Sequence, residues 1–556
     1  MTGCLIKRCA NQKNSIPEPC FFYKRLIPLD LFNYFRSVGD QYGIKNYKSG
    51  IRPGICLFTL ALLIGLFTYK DYGISYDEGQ MRNLGIYTYD YAFHAGQTIK
   101  TSDNKEHGVA MELPLILLEK ILGLKDSRKI FLMRHLLTHL FFLAGCLAFF
   151  LLTEFLFGST MLAVLGFFLL LLNPLIYGHS FFNTTDIPFM SMFMITMLVG
   201  YTVLQRKTTL GILLLGLTCG VLCNIRIMGL MLVAGFLFLF LFDLSKQKRE
   251  GHFRKKMLLQ LLLFPGSAFM ALYATWPYLY PNPLGNLISV IKTMSSYPWK
   301  GDVVFAGHFY KYSNLPLDYS IGWFCISNPL VYLGLGFFGL GLTGFRLAAK
   351  PSRFGTDPAF RFLLLNLLWF VAPLLAIAIL HSVVYDAWRH LYFIYPSFVL
   401  MGLYGLNSLP KPGFRYAVLL LLVLNMAQTA WFMVNNFPNE HIYFNRIPRQ
   451  DQPNRLRSNY DLDYWGTSYK QALEYILQTD TSSLITVKVI GLAGKENAWL
   501  LKSADRRRIH FTEDISKANY FASYYRYHPG DYPFMDKEVF SVKVLGSTIM
   551  SVFKLN

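Results

Sequence analysis

The sequence predicts a mainly α-helical, polytopic membrane protein of about eleven transmembrane helices, followed by a small α/β domain outside the membrane. Three observations carry this expectation. Of 556 residues, 53% are hydrophobic and only 15% charged, with a positive mean hydropathy, which leaves too little polar surface for a soluble enzyme of this length. Apolar runs of membrane length recur through most of the chain. Beyond residue 434 the composition turns polar.

The apolar runs place spans at about 53–69, 129–150, 161–178, 186–204, 209–224, 227–243, 257–277, 328–348, 362–381, 391–407 and 414–434. Residues 1–52 are polar and basic, and no small-residue cleavage site follows the first apolar run, so this segment reads as cytoplasmic rather than as a removable signal. Sidedness follows from Lys and Arg, which stay in the cytoplasm. They crowd the N-terminal segment and recur in alternate loops as "QRK" at 205–207, "SKQKREGHFRKK" at 245–256, "RLAAKPSRFGTDPAFR" at 346–361 and "KPGFR" at 411–415. Only the short turn after Glu154 lacks them. The N-terminus is therefore expected inside and the C-terminus outside. The net charge of +20 then belongs to loops held at anionic lipid, and no basic, aromatic-interleaved soluble segment argues for nucleic acid.

Within the membrane domain of 53–434, two exterior loops are long. The first, 70–128, contains "YDEGQMRNLGIYTYDYAFHAG", whose Leu84, Tyr87, Tyr91 and Phe93 suit a helix lying in the membrane interface. The other, 278–327, is rich in Pro, Tyr and Trp. Residues 435–556 predict the exterior α/β domain, with a helix at 467–478, a strand at 484–491 and a hairpin over 539–556 turning near Gly546 and Ser547. The eight cysteines form no disulfide framework or metal pair, and Cys219 and Cys223, four apart in a span, read as small packing residues.

The unusual polar residues all fall on the exterior side of this topology. Asp77 and Glu78 follow the first span, Asp186 opens the fourth at an N-cap-like position, and Arg226 lies in the turn "CNIRIMG". His308 and Asp318 lie in the Pro-rich loop, and Tyr385, Asp386, Arg389 and His390 in "HSVVYDAWRHLYF". Acids and bases gathered beside an apolar surface suit a reaction between a lipid-borne group and a water-side acceptor. For a sugar on a polyprenyl phosphate, the phosphate leaves without protonation, but its growing charge needs cations, a task suited to Arg226, Arg389 and His390. The attacking hydroxyl needs a carboxylate base, for which Asp77 is the candidate. Direct displacement of this kind inverts the anomeric carbon and needs one essential carboxylate. Glu78 and Asp186 would then position acceptor or sugar, or hold a divalent ion. No set of metal ligands is legible, and no cofactor is called for beyond the lipid-linked sugar itself.

Together, Asp77-Glu78 after the first span, "NTTDIPF", "IRIMG", "LPLDYSIGWFCISNPL", "YDAWRHLYFIYP" and, after the last span, "NEHIYFNRI" and "YDLDYWGTSYKQALEYI" resemble the GT-C superfamily of integral-membrane glycosyltransferases over about residues 52–480. The nearest branch is glycosyltransferase family 39, the protein O-mannosyltransferase and aminoarabinose transferase group, in its bacterial form. The resemblance implies a polyprenyl-phosphate sugar donor, an exterior active site in the bacterial inner membrane, Asp77 as base, Glu78 as second acid and Asp186 as an acid of the second exterior loop. No MIR-type β-trefoil interrupts the chain, and the first loop reads "EHGVAMELP" where the family commonly has His-Pro-Pro or Lys-Pro-Pro. The acceptor stays open between Ser/Thr of a secreted protein, a glycolipid and a surface polysaccharide. A transporter or flippase is the rival from another class, but its charges are expected near the membrane midplane, where this sequence has few. A glycan polymerase or ligase of the same fold is the other rival.

Overall fold

The computed structural model describes residues 47–94, 96–250, 255–295, 297 and 299–555. Nearly all of the expected cytoplasmic segment 1–52, with Cys4, Cys9 and Cys20, lies outside them. The helices are α1 (Tyr47–Thr68), α2 (Tyr76–His94), α3 (Glu112–Ile121), α4 (Ser127–Phe157), α5 (Thr160–Leu171), α6 (Pro174–Phe182), α7 (Asp186–Gln205) and α8 (Thr209–Ile225). They continue as α9 (Leu230–Arg249), α10 (Lys255–Thr275), α11 (Pro283–Ser295), α12 (Tyr319–Ile326), α13 (Leu330–Ala349), α14 (Pro358–Leu380), α15 (Tyr395–Asn407) and α16 (Pro412–Asn436). Among the described residues, eight helices are long and apolar enough to cross a membrane, or nine if the bent pair α5–α6 is one span. The expected spans 209–224 and 391–407 are the shorter helices α8 and α15. The fold is that of a mainly helical polytopic membrane protein.

Local chemistry explains the breaks. Asn173 caps α6 by accepting from the Ile176 N–H, Pro174 follows at the first helical position, and the pair bends by 66°. Asp126 caps α4 and Asp357 caps α14, again ahead of a proline. In α8, Gly216 and Gly220 are four apart, and a Cβ on them would fall 2.6 Å from Phe264 O and 2.2 Å from Ala268 O of α10. The two backbones therefore touch, as small residues permit in helices packed without a hydrophobic drive. Cys219 and Cys223 are buried in the same helix, as packing residues should be. Helix α7 lies at the centre of the bundle, with nearly all of its side chains buried.

The two ends of the bundle differ in charge. At one, Asp243 of α9 accepts from Lys207 beyond α7 and from Arg361 of α14 at 2.6 Å, while Lys246 reaches Gly355 O at 2.8 Å. This end also carries Lys248, Arg249, Lys255, Lys256, Lys350 and Arg353, the residues that the sequence places inside. The C-terminus of α1, the N-terminus of α7 and the C-terminus of α8 come together at the other end.

The first long loop, 70–128, forms α2, whose Met81 and Leu84 pack in a buried cluster with Val109, Trp276 and Val290, while Phe93 is exposed. Strands β1 (Asp302–Phe305) and β2 (His308–Lys311) make a hairpin in the second long loop. After α16 come α17 (Arg455–Asn459), α18 (Tyr469–Thr479), β3 (Ile485–Val489), α19 (Gly491–Asn497), α20 (Ser503–Arg506), β4 (Ile509–Phe511), β5 (Tyr520–Ser523), β6 (Glu538–Val544) and β7 (Ser547–Lys554). The sheet order is β4-β3-β5-β7-β6, with β3 parallel to β4 and β5, and β7 antiparallel to β5 and β6. The expected helix, strand and terminal hairpin are all present. The short strands β4 and β5, which lack a strong alternating pattern, were not legible. This region packs with the helices in one unit spanning Gly50–Asn556.

Candidate active site

Asp77 lies in the first turn of α2. Its Oδ2 stands 3.4 Å from Nη1 of Arg389, and its side chain keeps 38% exposure. The same Arg389 nitrogen is 3.3 Å from Oδ2 of Asp186, and Nη2 is 3.4 Å from Oδ2 of Asp386. Three carboxylates thus meet one buried guanidinium. Asp186 has a second cation in Arg226, at the end of α8, and Asp386 has one in Arg526, whose Nη2 donates at 2.6 Å. Among the described residues, Asp77 has no arginine of its own. The crowding of protein around its carboxyl raises its pKa above the ordinary aspartate range, with Asp386 and Asp186 adding to the rise and Arg389 opposing it.

Asp186 does not cap its helix. Asn183 does that work, its Oδ1 accepting from the N–H groups of Thr185 and Asp186 at 3.2 and 2.8 Å. This frees the Asp186 carboxylate for the two arginines and for the Asn183 side-chain amide, which donates at 2.9 Å. Tyr385 and Trp465 both lie against Arg389, with ring centroids 4.8 and 4.9 Å from its guanidinium carbon. Trp299 stacks on Tyr385 at 4.1 Å, and His390 meets the edge of Tyr385 at 4.8 Å. Asp386 and Ala387 have φ of 57° and 63°, and so do Tyr525 and Tyr527, at 62°, on either side of Arg526. Backbone held in this region on both sides of one ion pair is the strain that accompanies a fixed site.

Glu78 points elsewhere. Successive helix residues diverge by about 100°, and its carboxylate turns back to accept from the Ser75 N–H at 2.9 Å and faces His135 of α4 at 3.3 Å. Residues 75–78 read S-x-x-E, and Glu78 makes the glutamate half of a capping box at the start of the helix carrying Asp77, while the Ser75 hydroxyl donates to Phe182 O at 3.0 Å. His308 is exposed on β2 against the Tyr310 ring, and Asp318 is exposed ahead of α12. Among the described residues, no contact joins either to the cluster. The structure therefore brings together Asp77, Asp186, Arg226, Tyr385, Asp386, Arg389 and His390, and leaves Glu78 and His308 apart.

Several residues that sequence reasoning passed over also line the site. His107 is held at its edge because Val109 N–H donates to Asn224 Oδ1 at 2.9 Å, and Gly108 lies so close that a Cβ would fall 1.3 Å from Asn224 O. Burial lowers the His107 pKa to about 4, with Arg226 adding to the drop, and its ring meets Tyr297 edge-on at 5.3 Å. The C-terminal region supplies Tyr464, Trp465 and Arg526. The only signal for Tyr464 and Trp465 was "DYWGTSYK", an aromatic stretch in an otherwise ordinary polar segment, and Arg526 had none. Among the described residues, no group of three or more His, Cys, Asp or Glu side chains is placed to hold a metal ion. Asp186 already serves two arginines, and Glu78 serves His135 and a backbone amide.

Residues 117–276, which run from α3 through α10, match the profile of the family described as dolichyl-phosphate-mannose-protein mannosyltransferase. The likeness is to the GT-C glycosyltransferases. The expected resemblance is thereby borne out. Among solved structures, the chain is similar to ArnT from Cupriavidus metallidurans bound to undecaprenyl phosphate, at 12% identity and a TM-score of 0.46, over 90% of this chain and 97% of that one. The apo form of the same protein gives 0.48 at the same identity and coverage. The Archaeoglobus fulgidus oligosaccharyltransferase, tethered to an acceptor peptide with an NVT sequon, gives 13% identity and a TM-score of 0.45, over 84% of this chain and 64% of that one. No curated protein sequence matches the chain.

Proposed function

We propose that this protein moves a single sugar from a polyprenyl-phosphate donor to a hydroxyl acceptor on the exterior face of the membrane, with Asp77 as general base. The observation that carries the reading is the inequality of the three aspartates. Asp186 and Asp386 each have a private arginine and are buried, whereas Asp77 is open on one side and shares only Arg389. A carboxylate so placed can accept a proton from a molecule arriving from water.

In this mechanism the acceptor oxygen forms a bond to the anomeric carbon as the bond from that carbon to the phosphate oxygen breaks. The hydroxyl proton goes to Asp77, and the polyprenyl phosphate leaves with its electron pair. Among the described residues, the Nε–H groups of Arg226 and Arg389 are buried without an acceptor, and the His390 Nδ1 is likewise without a partner. Buried donors of this kind are suited to the negative charge that grows on the leaving phosphate. Tyr385 and Trp299 offer the adjacent aromatic surface for the sugar. The match to the mannosyltransferase family supports a hexose donor, and acceptors of the protein, glycolipid and glycan classes all present the required hydroxyl. The N-terminus inside and the C-terminus outside, in a bacterial inner membrane, complete the proposal.

The test is stereochemical. Product from a donor of defined anomeric configuration should carry the opposite configuration by NMR, because one displacement inverts. Retention would require a covalent intermediate and a second essential carboxylate, and would sink the mechanism.

A further inference from the structure

Residues 73–76, which lead into the helix that bears Asp77, are held by the C-terminal region and not by the transmembrane bundle alone. Asn497, at the end of α19, has no exposed surface. Its Oδ1 accepts from the Ile74 N–H at 2.9 Å, and its Nδ2 donates to Ile74 O at 2.9 Å, to Gly466 O at 3.2 Å and to Ala493 O at 2.8 Å. One side chain therefore satisfies both backbone groups of Ile74, as a neighbouring strand would. Two residues on, the Tyr76 N–H donates to Trp465 O at 3.1 Å, which satisfies one of the donors that a helix leaves unpaired at its start. Gly73 approaches so closely that a Cβ would fall 2.0 Å from Thr467 O.

The same strap reaches the other partner of the base. The Trp465 ring lies against Arg389, whose guanidinium faces the Asp77 carboxylate at 3.4 Å. Asp463 fixes the strap's turn by accepting from the N–H groups of Thr467 and Ser468 at 3.1 and 2.9 Å, and Gly466 takes φ of 68° where a side chain would be strained. Backbone on one side of Asp77 and its cation on the other are thus tied to a single segment of the C-terminal region.

We propose that Asn497 is a positioning residue for the Asp77 base, acting through Ile74 and the Trp465–Gly466 strap, so that the C-terminal region is part of the catalytic apparatus. The inference rests on the glycosyltransferase reading above. It assigns Asn497 an effect on turnover and not on donor capture, because it touches neither Arg226 nor the aromatic pair Tyr385–Trp299. A displacement of the base by about 1 Å is enough to cost on the order of 100-fold in rate.

The experiment uses the full chain in lipid vesicles, a radiolabelled polyprenyl-phosphate hexose and an extract acceptor, with rates normalised to the fraction folded by thermal melting. Asn497→Ala should lower kcat by about 10- to 100-fold while the donor KM stays within about 3-fold of wild type. Tyr469→Phe is the control for a general loss of fold in the same region. It removes a hydroxyl that bonds Ile490 and Ala522 inside the C-terminal region, and should lower the melting temperature and leave kcat per folded molecule unchanged. If Asn497→Ala does not fold, Trp465→Leu asks the same question from the Arg389 side and should also depress kcat. Unchanged kcat in the folded Asn497 or Trp465 variant overturns the inference alone, as does an equal loss in Tyr469→Phe. A wild-type protein that transfers nothing overturns the glycosyltransferase reading and, with it, the inference.

Discussion

Arg389 is the residue on which the site turns, because its planar fork meets Asp77, Asp186 and Asp386 at once. Lysine would keep the charge but has no fork to divide among three acids. Arg389→Lys should therefore weaken donor binding by about 10-fold and lower kcat as well, as measured by donor titration of the purified protein; unchanged donor affinity would remove Arg389 from the phosphate site. Asp77 sets the pH dependence. A base works only when deprotonated, and its pKa is raised, so transfer should fall as pH drops through a value above the ordinary aspartate pKa of about 4. A rate profile flat down to about pH 4 would contradict that assignment. At this scale much was legible in the sequence. Asp77, Asp186, Arg226 and Arg389 stand out because charge at the end of an apolar run has few structural uses. Glu78 points away from the cluster for a definable reason: adjacency in sequence is divergence on a helix, and its oxygen accepts from the Ser75 N–H.

Helix α19 gives the clearest prediction at the scale of elements. Its Glu496 is buried beside Gly79, and burial raises the carboxyl to about 8, with Glu78 and Asp77 adding to the rise. The folded protein consequently keeps a proton that the unfolded chain loses above about 4.5. Stability from this group is present in full below that value and is lost as pH rises toward 8. Glu496→Gln cannot ionise, so it should melt like wild type near pH 5 and above it near pH 9, with a gap on the order of 1–4 kcal/mol. The same pH slope in mutant and wild type would show that Glu496 titrates as an exposed acid. Element existence was largely legible: eleven apolar runs correspond to α1, α4, the bent pair α5–α6, and α7 to α10 and α13 to α16. The bend after Leu172 was not expected: the sequence reads 161–178 as one span, and Asn173-Pro174, which caps and starts α6, breaks it. His308 was misplaced because a long loop in sequence gives no hint that a tight hairpin will hold its histidine outward.

For the whole molecule, the two ends of the bundle carry different charge, and the retention of Lys and Arg in the cytoplasm predicts how it sits. Ser352→Cys, at the cationic end, should react with a membrane-impermeant thiol reagent only after the membrane is opened, while Leu484→Cys in the C-terminal region should react in intact cells. The reverse pattern would invert the topology. The least legible feature lies at this scale too. Trp465, Asn497 and Arg526 reach residues 74–77 and 386–389 across a separation that no local pattern encodes, and only docking of the C-terminal region brings them there.

The central claim is that this is a polyprenyl-phosphate-dependent glycosyltransferase with Asp77 as its base. The most direct measurement compares wild type with Asp77→Asn for sugar transfer in reconstituted vesicles and, in parallel, for donor binding. The account predicts a loss of transfer of about 1,000-fold or more, with donor still bound. A mutant that transfers at the wild-type rate would contradict it.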